Sequence, residues 1–541
     1  MQRSIDRILT THVGALQRPR ELSEAMAAEG EWSPAALELL RVGVSDVVGR
    51  QEATGIDIVD DGEFGKTIWM WYVRDRLDGI EGRDWALASE PLLRGRDRDQ
   101  FPGFYAWADA NSRLFGYMED SYFWGSIVTQ PVVTGPVRYR PEAVKRDIAN
   151  LKAALAEHPA AEAFMPVVAP ASIEVGLANE HYGSRDDLMR ALADAIREEY
   201  KAIVDAGFIL QVDDAWVPAA WDRSPEYDLD SYRRYASESI EVLNHALAGL
   251  PADRIRYHLC WGSWHGPHAN DVPLAQIADI MLRVNAGAYL VEAANSRHEH
   301  EYHLWEDVKL PDGKILIPGV VTHATNAIEH PELVAERIQR YTDRLGAENV
   351  VAGADCGFGS RIHPELGWAK LAALADGAAL ASSRIWKKLD QNRPFRTYAA
   401  ASQGSQDSRA PCGRPGYGAA RSRVPNWATP ERSASSWVSS LPATSGLRRA
   451  HARALLAVAK KLMKLQVRSA DGRSASPTEP ANTTAVRGSH RAWSPSARTV
   501  MTQPVSGSAA VIVTGRASMA DMPSASIAHM AYASGPPAQL T

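Results

Sequence analysis

The segment IRYHLCW, residues 255–261, is too short for a helix and reads as a strand that ends at Gly262. Side chains alternate across a strand, so His258 and Cys260 share one face. Two later apolar runs end in the same kind of chemistry. Tyr289-Leu-Val-Glu292 closes one of them, and Val350-Val-Ala-Gly-Ala-Asp355-Cys356-Gly357 closes the other. Working outward, runs of the same type recur at Ile8–Gly14, Ile56–Glu63, Val132–Val137, Phe164–Pro170, Phe208–Asp214 and Ile315–Val321. Amphipathic helical stretches such as Ser184–Ala206 and Pro331–Leu345 separate several of them. Strands alternating with helices predict a parallel α/β sheet, and an eight-stranded (β/α)8 TIM-type barrel absorbs all the runs but one. Val132–Val137 is the run assigned to a hairpin or edge excursion. The Trp- and Tyr-rich segment Gln100–Thr129 fits no strand–helix period and reads as a long insertion near the mouth.

The pattern stops after about Arg393. From Thr397 onward 17 Lys and Arg face only five acidic residues, a balance of +12, while the remainder carries −18 of the overall −6. Two physically different segments follow: a catalytic domain over 1–392 and a low-complexity Ser/Arg/Pro/Ala-rich tail over 393–541. The tail is expected to be disordered or an out-of-frame appendage, with a basic arm for nucleic acid as the competing reading. Its one helical pattern is Leu447–Val467. No stretch approaches the roughly 20 apolar residues of a membrane span. Met1–Pro19 has no apolar leader core, and three cysteines make no disulfide framework. The expectation is a reduced, cytoplasmic setting with neither nucleic-acid nor membrane partners.

Ligands of mixed type scattered over three strand ends argue against a small structural zinc knot. They argue for a site that the fold assembles at one rim of the barrel. His258, Cys260, Glu292 and Cys356 together suit Zn2+, although Glu292 could equally bind an Arg or a substrate amine. Acids close two further runs, at Asp60-Asp61-Gly62-Glu63 and at Asp213-Asp214. These can hold a substrate ammonium group, act as a base, or simply cap turns.

With these residues in hand, the chain resembles the catalytic barrel of cobalamin-independent methionine synthase. It resembles more closely the single-barrel relatives, which include epoxyalkane:coenzyme M transferases. The likeness runs from about Ile8 to Trp386 through Thr10-Thr-His12-Val-Gly14, Asp61-Gly62-Glu63, Thr134-Gly-Pro136-Val, Gln211-Val-Asp213-Asp214, His258-Leu-Cys260-Trp-Gly262, Glu292 and Asp355-Cys356-Gly357. The resemblance implies zinc on His258, Cys260, Glu292 and Cys356. It implies that Glu63 and Asp213 hold the amino group of a homocysteine-like thiol, with Gly14 and Ala15 near its carboxylate.

Three positions depart from the family pattern. Ala15 replaces a Ser, Gly176 stands where the long enzymes stack a Trp on the folate, and Thr322, next to His323, replaces an Asp. Trp69, Trp71, Trp216, Trp261 and Trp264 offer other stacking surfaces.

The reaction expected from the resemblance is S-methylation of homocysteine by 5-methyltetrahydrofolate. The competing readings are alkylation by another electrophile such as an epoxide, or metal binding without catalysis. An amine leaving group needs a proton, for which His323, His265 and His12 are the candidates, with Asp213 as a second catalytic group.

Overall fold

The computed structural model describes residues 1–29, 32–67, 72–84, 94–111, 129–359 and 361–386. The tail with its helical pattern, Cys412, Trp69 and Trp71 lie outside the described residues, as does most of the Gln100–Thr129 insertion. What is described of that insertion is mainly helical, Pro102–Ala110, following a short helix at Arg96–Gln100.

Seven strands form one parallel sheet in the order β1 (Ile58–Val59), β4 (Glu162–Val168), β6 (Ile209–Asp214), β7 (Ile255–Leu259), β8 (Ala288–Val291), β9 (Ile315–Val321) and β10 (Gly353–Ala354). The N-terminal run closes it. Thr10 bridges Ala352 and Thr11 bridges Ile58, both in parallel, so residues 10 and 11 are the eighth stave between the two sheet edges. The Thr11 and Ala352 amide N–H groups bond to Ala352 O at 2.9 Å and Leu9 O at 2.8 Å. The barrel is thus the (β/α)8 type that the alternating runs predict. Its most regular strands are the central, fully buried ones, while β1 and β10 are only two residues long.

The excluded run behaves as expected. β3 (Thr129–Tyr139) pairs antiparallel with β2 (Leu77–Asp84) and parallel with β5 (Ala178–Asn179), in a separate three-stranded sheet.

Two apolar layers hold the barrel. Leu9, Ile58, Phe164, Ile209, Leu290, Ile317 and Val351 point inward and meet as one cluster. The larger cluster lies between the strands and the surrounding helices. The helices follow their local signals. Ser184 caps Arg185–Asp205 by accepting from Asp187 N, and the apolar stripe Leu188, Leu192, Ile196, Ile203 is buried. His330 and His363 cap Pro331–Leu345 and Pro364–Ile385 by the same device, each followed by Pro at the first helical position.

One inward position is not apolar. Arg256, wholly buried on β7, crosses the barrel, bonding Gln211 Oε1 at 2.8 Å, Thr11 Oγ1 at 2.9 Å and His12 O at 2.8 Å. Its guanidinium lies 3.4 Å from the centre of the Phe164 ring. It forms the polar floor on which the rim residues stand.

Candidate metal centre

β6 and β7 run in register with Asp213 opposite His258, which places one strand-end acid against one strand-end histidine. The two are hydrogen-bonded, His258 Nδ1 to Asp213 Oδ1 at 2.9 Å. Asp213 accepts, so the proton sits on Nδ1 and the lone pair of Nε2 is free. That Nε2 is buried and has no hydrogen-bond partner. Two residues further on, Cys260 leaves β7, and its Sγ lies 3.7 Å from Cys356 Sγ, which follows β10. Both thiols are free and buried. His258, Cys260 and Cys356 each present one ligand atom, and all three atoms lie within 4.8 Å of one another.

Two thiolates sharing a tetrahedral zinc at the usual bond length of about 2.3 Å stand about 3.8 Å apart. The sulfur spacing, the orphaned imidazole nitrogen and the soft donor set therefore fit such an ion. The two thiols share one hydrogen bond, in which either sulfur can be the donor. This pushes the Cys356 pKa down, helped by the charges of Arg361 and His258, while Cys260 is pushed up. One thiolate is thus already favoured without a metal.

Glu292 lies nearby, but its two oxygens are otherwise engaged. Oε1 accepts the Trp261 N–H at 3.0 Å and Oε2 accepts Asn295 Nδ2–H at 2.8 Å. It is not among the three residues whose ligand atoms converge. In this arrangement it fixes the chain just after Cys260. Asp355 does similar work, receiving the Ala293 and Ala294 N–H groups at 2.7 and 2.8 Å and so tying β10 to the loop after β8.

The upstream acids divide. Asp60, Asp61 and Asp214 accept backbone N–H groups of their own turns, from Gly62, Glu63 and Val217. Glu63 is different. It has a left-handed backbone (φ 59°), is buried, and reaches Lys66 Nζ at 3.3 Å. Burial raises its pKa, against the pull of Lys66. Gly14 (φ 130°) stands directly against it, where a Cβ would lie 2.6 Å from Glu63 Oε1 and 2.6 Å from Pro166 Cγ. Ala15 packs on Gly357, and its carbonyl accepts the Phe358 and Gly359 N–H groups at 2.8 and 2.9 Å, so the Gly14–Ala15 turn and Cys356 are held together.

The three histidines considered as acids differ in setting. His12 accepts the Gly14 N–H at Nδ1 and gives its Nε2 proton to Gln51 at 2.7 Å. Burial lowers its pKa to about 4, so it is a neutral element of the turn. His323 and His265 are lowered first by burial and then by the charge of Arg361, and each has one ring nitrogen buried without a partner. Both rings are neutral at pH 7. A further set of contacts that backs Trp261 has no signal in the neighbouring residues. His298 stacks on Trp261 at 4.2 Å and is held by Asp271 at 3.2 Å and Glu301 at 2.8 Å. Burial opposes its charge, but the two carboxylates prevail and its pKa rises to about 10. Trp216 and Trp264 pack with Tyr105 in a satellite cluster beside the site.

The chain is similar to known proteins. A family model for the catalytic domain of cobalamin-independent synthase matches residues 121–379, which contain His258, Cys260, Glu292 and Cys356. A methionine synthase of Thermococcus kodakarensis is 23% identical over 392 residues, 72% of this chain and 97% of that protein. One of Saccharolobus solfataricus is 24% identical over 386 residues, 70% of this chain and 96% of that protein. In fold, the chain is similar to a B12-independent methionine synthase of Shewanella sp. W3-18-1 (TM-score 0.53, 21% identity), a match covering 70% of this chain and 99% of that one. The barrel, the converging His/Cys/Cys rim and these relatives point the same way: residues 121–379 match the catalytic domain of cobalamin-independent synthase, and the chain is similar to methionine synthases along most of their length.

Proposed function

We propose that this protein is an S-methyltransferase that binds Zn2+ through His258, Cys260 and Cys356 and methylates a homocysteine-like thiol, with a 5-methyltetrahydrofolate-like donor. The observation that carries the reading is the orphaned His258 Nε2 facing two free thiols 3.7 Å apart.

A free alkyl thiol has a pKa near 8.5, so little is ionised at neutral pH. When bound, the metal supplies the positive charge that removes that proton. The remaining work falls to the chain. Asp213 keeps His258 in the tautomer that leaves Nε2 open, and the hydrogen bond from Asn295 holds Glu292 on the Trp261 N–H. Glu63, Gly14 and Ala15 line the adjoining turn, where the non-reacting end of the thiol lies. In the transfer the thiolate sulfur forms a bond to the methyl carbon while the carbon–nitrogen bond of the donor breaks. The nitrogen lone pair takes a proton. Their lowered pKa values and unpaired buried nitrogens suit neutral His323 and His265 to relay that proton from solvent rather than to store it.

The test is a metal analysis of the full chain beside Cys356→Ser, followed by product identification. About one zinc per chain, strongly reduced in the variant, and formation of methionine from homocysteine and the folate donor are expected. A protein without stoichiometric metal overturns the reading.

A further inference from the structure

The turn that follows β7 wraps back over the sulfur of Cys260. The Gly262 N–H donates to Cys260 Sγ at 3.3 Å, and Ser263 Oγ lies 3.3 Å from the same sulfur. Both residues reach these places with left-handed backbones, Gly262 at φ 107° and Ser263 at φ 52°. Glycine adopts such a φ freely, whereas a serine there is strained, and strain of this kind persists only where the surroundings impose it. Ser263 is buried, and its hydroxyl is spent on Cys260. Nothing in the chemistry proposed above uses that hydroxyl.

The surroundings that impose the strain are in place. A Cβ on Gly262 would lie 2.1 Å from Trp264 Cζ3, so the indole presses on the turn at its glycine. The indole is itself gripped. The Arg223 guanidinium lies 4.0 Å from its ring centre, the His268 ring stacks on it at 4.1 Å, and its Nε1–H donates to Tyr105 OH at 3.2 Å. Asp271 holds His268 in turn at 2.9 Å. Trp264 is only 6% exposed, so it is a clamp on the Gly262–Ser263 turn and not a free stacking surface.

A thiolate that binds a metal has no proton left, so its sulfur only accepts. At Cys260 it then takes two donors, one N–H and one O–H. Hydrogen bonds to a metal-bound sulfur draw charge from it and make it a weaker nucleophile. That matters at a centre where a methyl donor meets thiolates of the protein as well as the substrate's. Methylation of Cys260 would form a sulfur–carbon bond as the carbon–nitrogen bond of the donor breaks and the nitrogen takes a proton. It would leave a neutral thioether in place of a ligand thiolate. We infer that Ser263, together with the Gly262 N–H, is a specificity residue that quietens the Cys260 sulfur, so that the methyl group passes to the substrate thiol and not to the protein's own. The inference rests on the thiol-methylating reading of the His258/Cys260/Cys356 centre.

The experiment treats the full, zinc-loaded chain with methyl iodide, whose carbon a thiolate attacks as iodide leaves. Mass spectrometry of the Cys260 peptide follows methylation, with zinc content measured in parallel. Ser263→Ala removes the hydroxyl and keeps the strained backbone, whereas Ser263→Gly removes the hydroxyl and relieves the strain. Cys260 should be methylated at least roughly fivefold faster in both variants, the scale of one lost hydrogen bond. Ser263→Gly should melt no lower than the unaltered chain, which separates this effect from a loss of stability. In the cobalt-substituted chain the thiolate absorption should move to longer wavelength in both variants, because a thiolate relieved of a donor gives up an electron more readily. Should Ser263→Ala fail to fold, Ser263→Gly decides alone. A Cys260 rate within about twofold of the unaltered chain, in Ser263→Gly that retains its zinc, overturns the role of Ser263 and leaves the metal reading standing. An unaltered chain that holds no stoichiometric zinc overturns both.

Discussion

Asp213→Asn isolates the contact on which the metal reading depends. Asp213 Oδ1 receives two N–H groups, from His258 Nδ1 at 2.9 Å and from Gln211 Nε2 at 2.7 Å, and both side chains of the His–Asp pair are buried. Asparagine has nearly the same shape but no charge. If its amide NH2 turns toward the imidazole, the ring proton is forced onto Nε2, and the ligand lone pair is lost. If its oxygen turns instead, the ring remains in the right tautomer but loses the charge that makes it a better donor. Removing a supporting group of this kind costs roughly 10- to 100-fold in metal affinity, or about 1.4–2.7 kcal/mol. Competition for zinc against a chromophoric chelator at pH 7.5 measures the difference, with circular dichroism confirming that the barrel persists. Affinity unchanged within twofold would refute the argument that His258 is a ligand oriented through Asp213. A loss confined to homocysteine affinity, with zinc retained, would give Asp213 to the substrate alone.

Three further outcomes follow from particular contacts. Arg256→Met leaves Gln211 Oε1, Thr11 Oγ1 and His12 O without their buried donor, and thermal unfolding should register a loss of about 3–5 kcal/mol. An unaltered melting temperature would count against the buried arginine as the barrel's polar floor. Gly14→Ala places a Cβ 2.6 Å from Glu63 Oε1 at a left-handed φ, so thiol binding should weaken at least roughly tenfold with zinc content unchanged. Equal homocysteine affinity in that variant, read from the thiolate absorption of the cobalt-substituted chain, would remove Glu63 from the pocket. His298 has its pKa raised to about 10 from an ordinary 6.5, so its charged form stabilises the fold fully below about pH 6.5. That contribution is lost as pH rises through 10, and at about 1.4 kcal/mol per pH unit it amounts to a few kcal/mol. The melting temperature should therefore fall more steeply between pH 7 and pH 10 in the native chain than in His298→Gln. Parallel curves would show that Asp271 and Glu301 do not hold a charged ring.

The convergence of His258, Cys260 and Cys356 was legible because its signal is local. A strand has a period of two, apolar runs end where the barrel mouth begins, and His-x-Cys followed by a distant Cys at two such ends leaves few other geometries. The discarded ninth run was legible only by counting, since nine runs exceed the eight staves of a barrel; its Pro131 and Pro136 do not single it out, because β4 and β9 carry Pro166 and Pro318 within the parallel sheet. Glu292 shows where that reasoning stops. The strand end places its carboxylate at the mouth, but its partners, the Trp261 N–H and Asn295, depend on how the next loop folds back. Asp213 could have been set against His258 by aligning the ends of β6 and β7, because adjacent parallel strands share register.

The cations were not legible at all. Arg256, Lys66 and Arg361 sit in segments that read as an ordinary strand position, a turn and a loop, and nothing in the neighbouring letters separates a solvated Arg or Lys from a buried one. Burial is decided by the closed sheet and the packing of Ala15 on Gly357, which join residues more than 300 positions apart in sequence. The same closure explains why these charges matter. A guanidinium in water has a partner wherever it turns, whereas Arg256, closed inside the barrel, keeps its charge only through Gln211, Thr11 and His12, so the floor beneath the rim stands or falls with those three contacts.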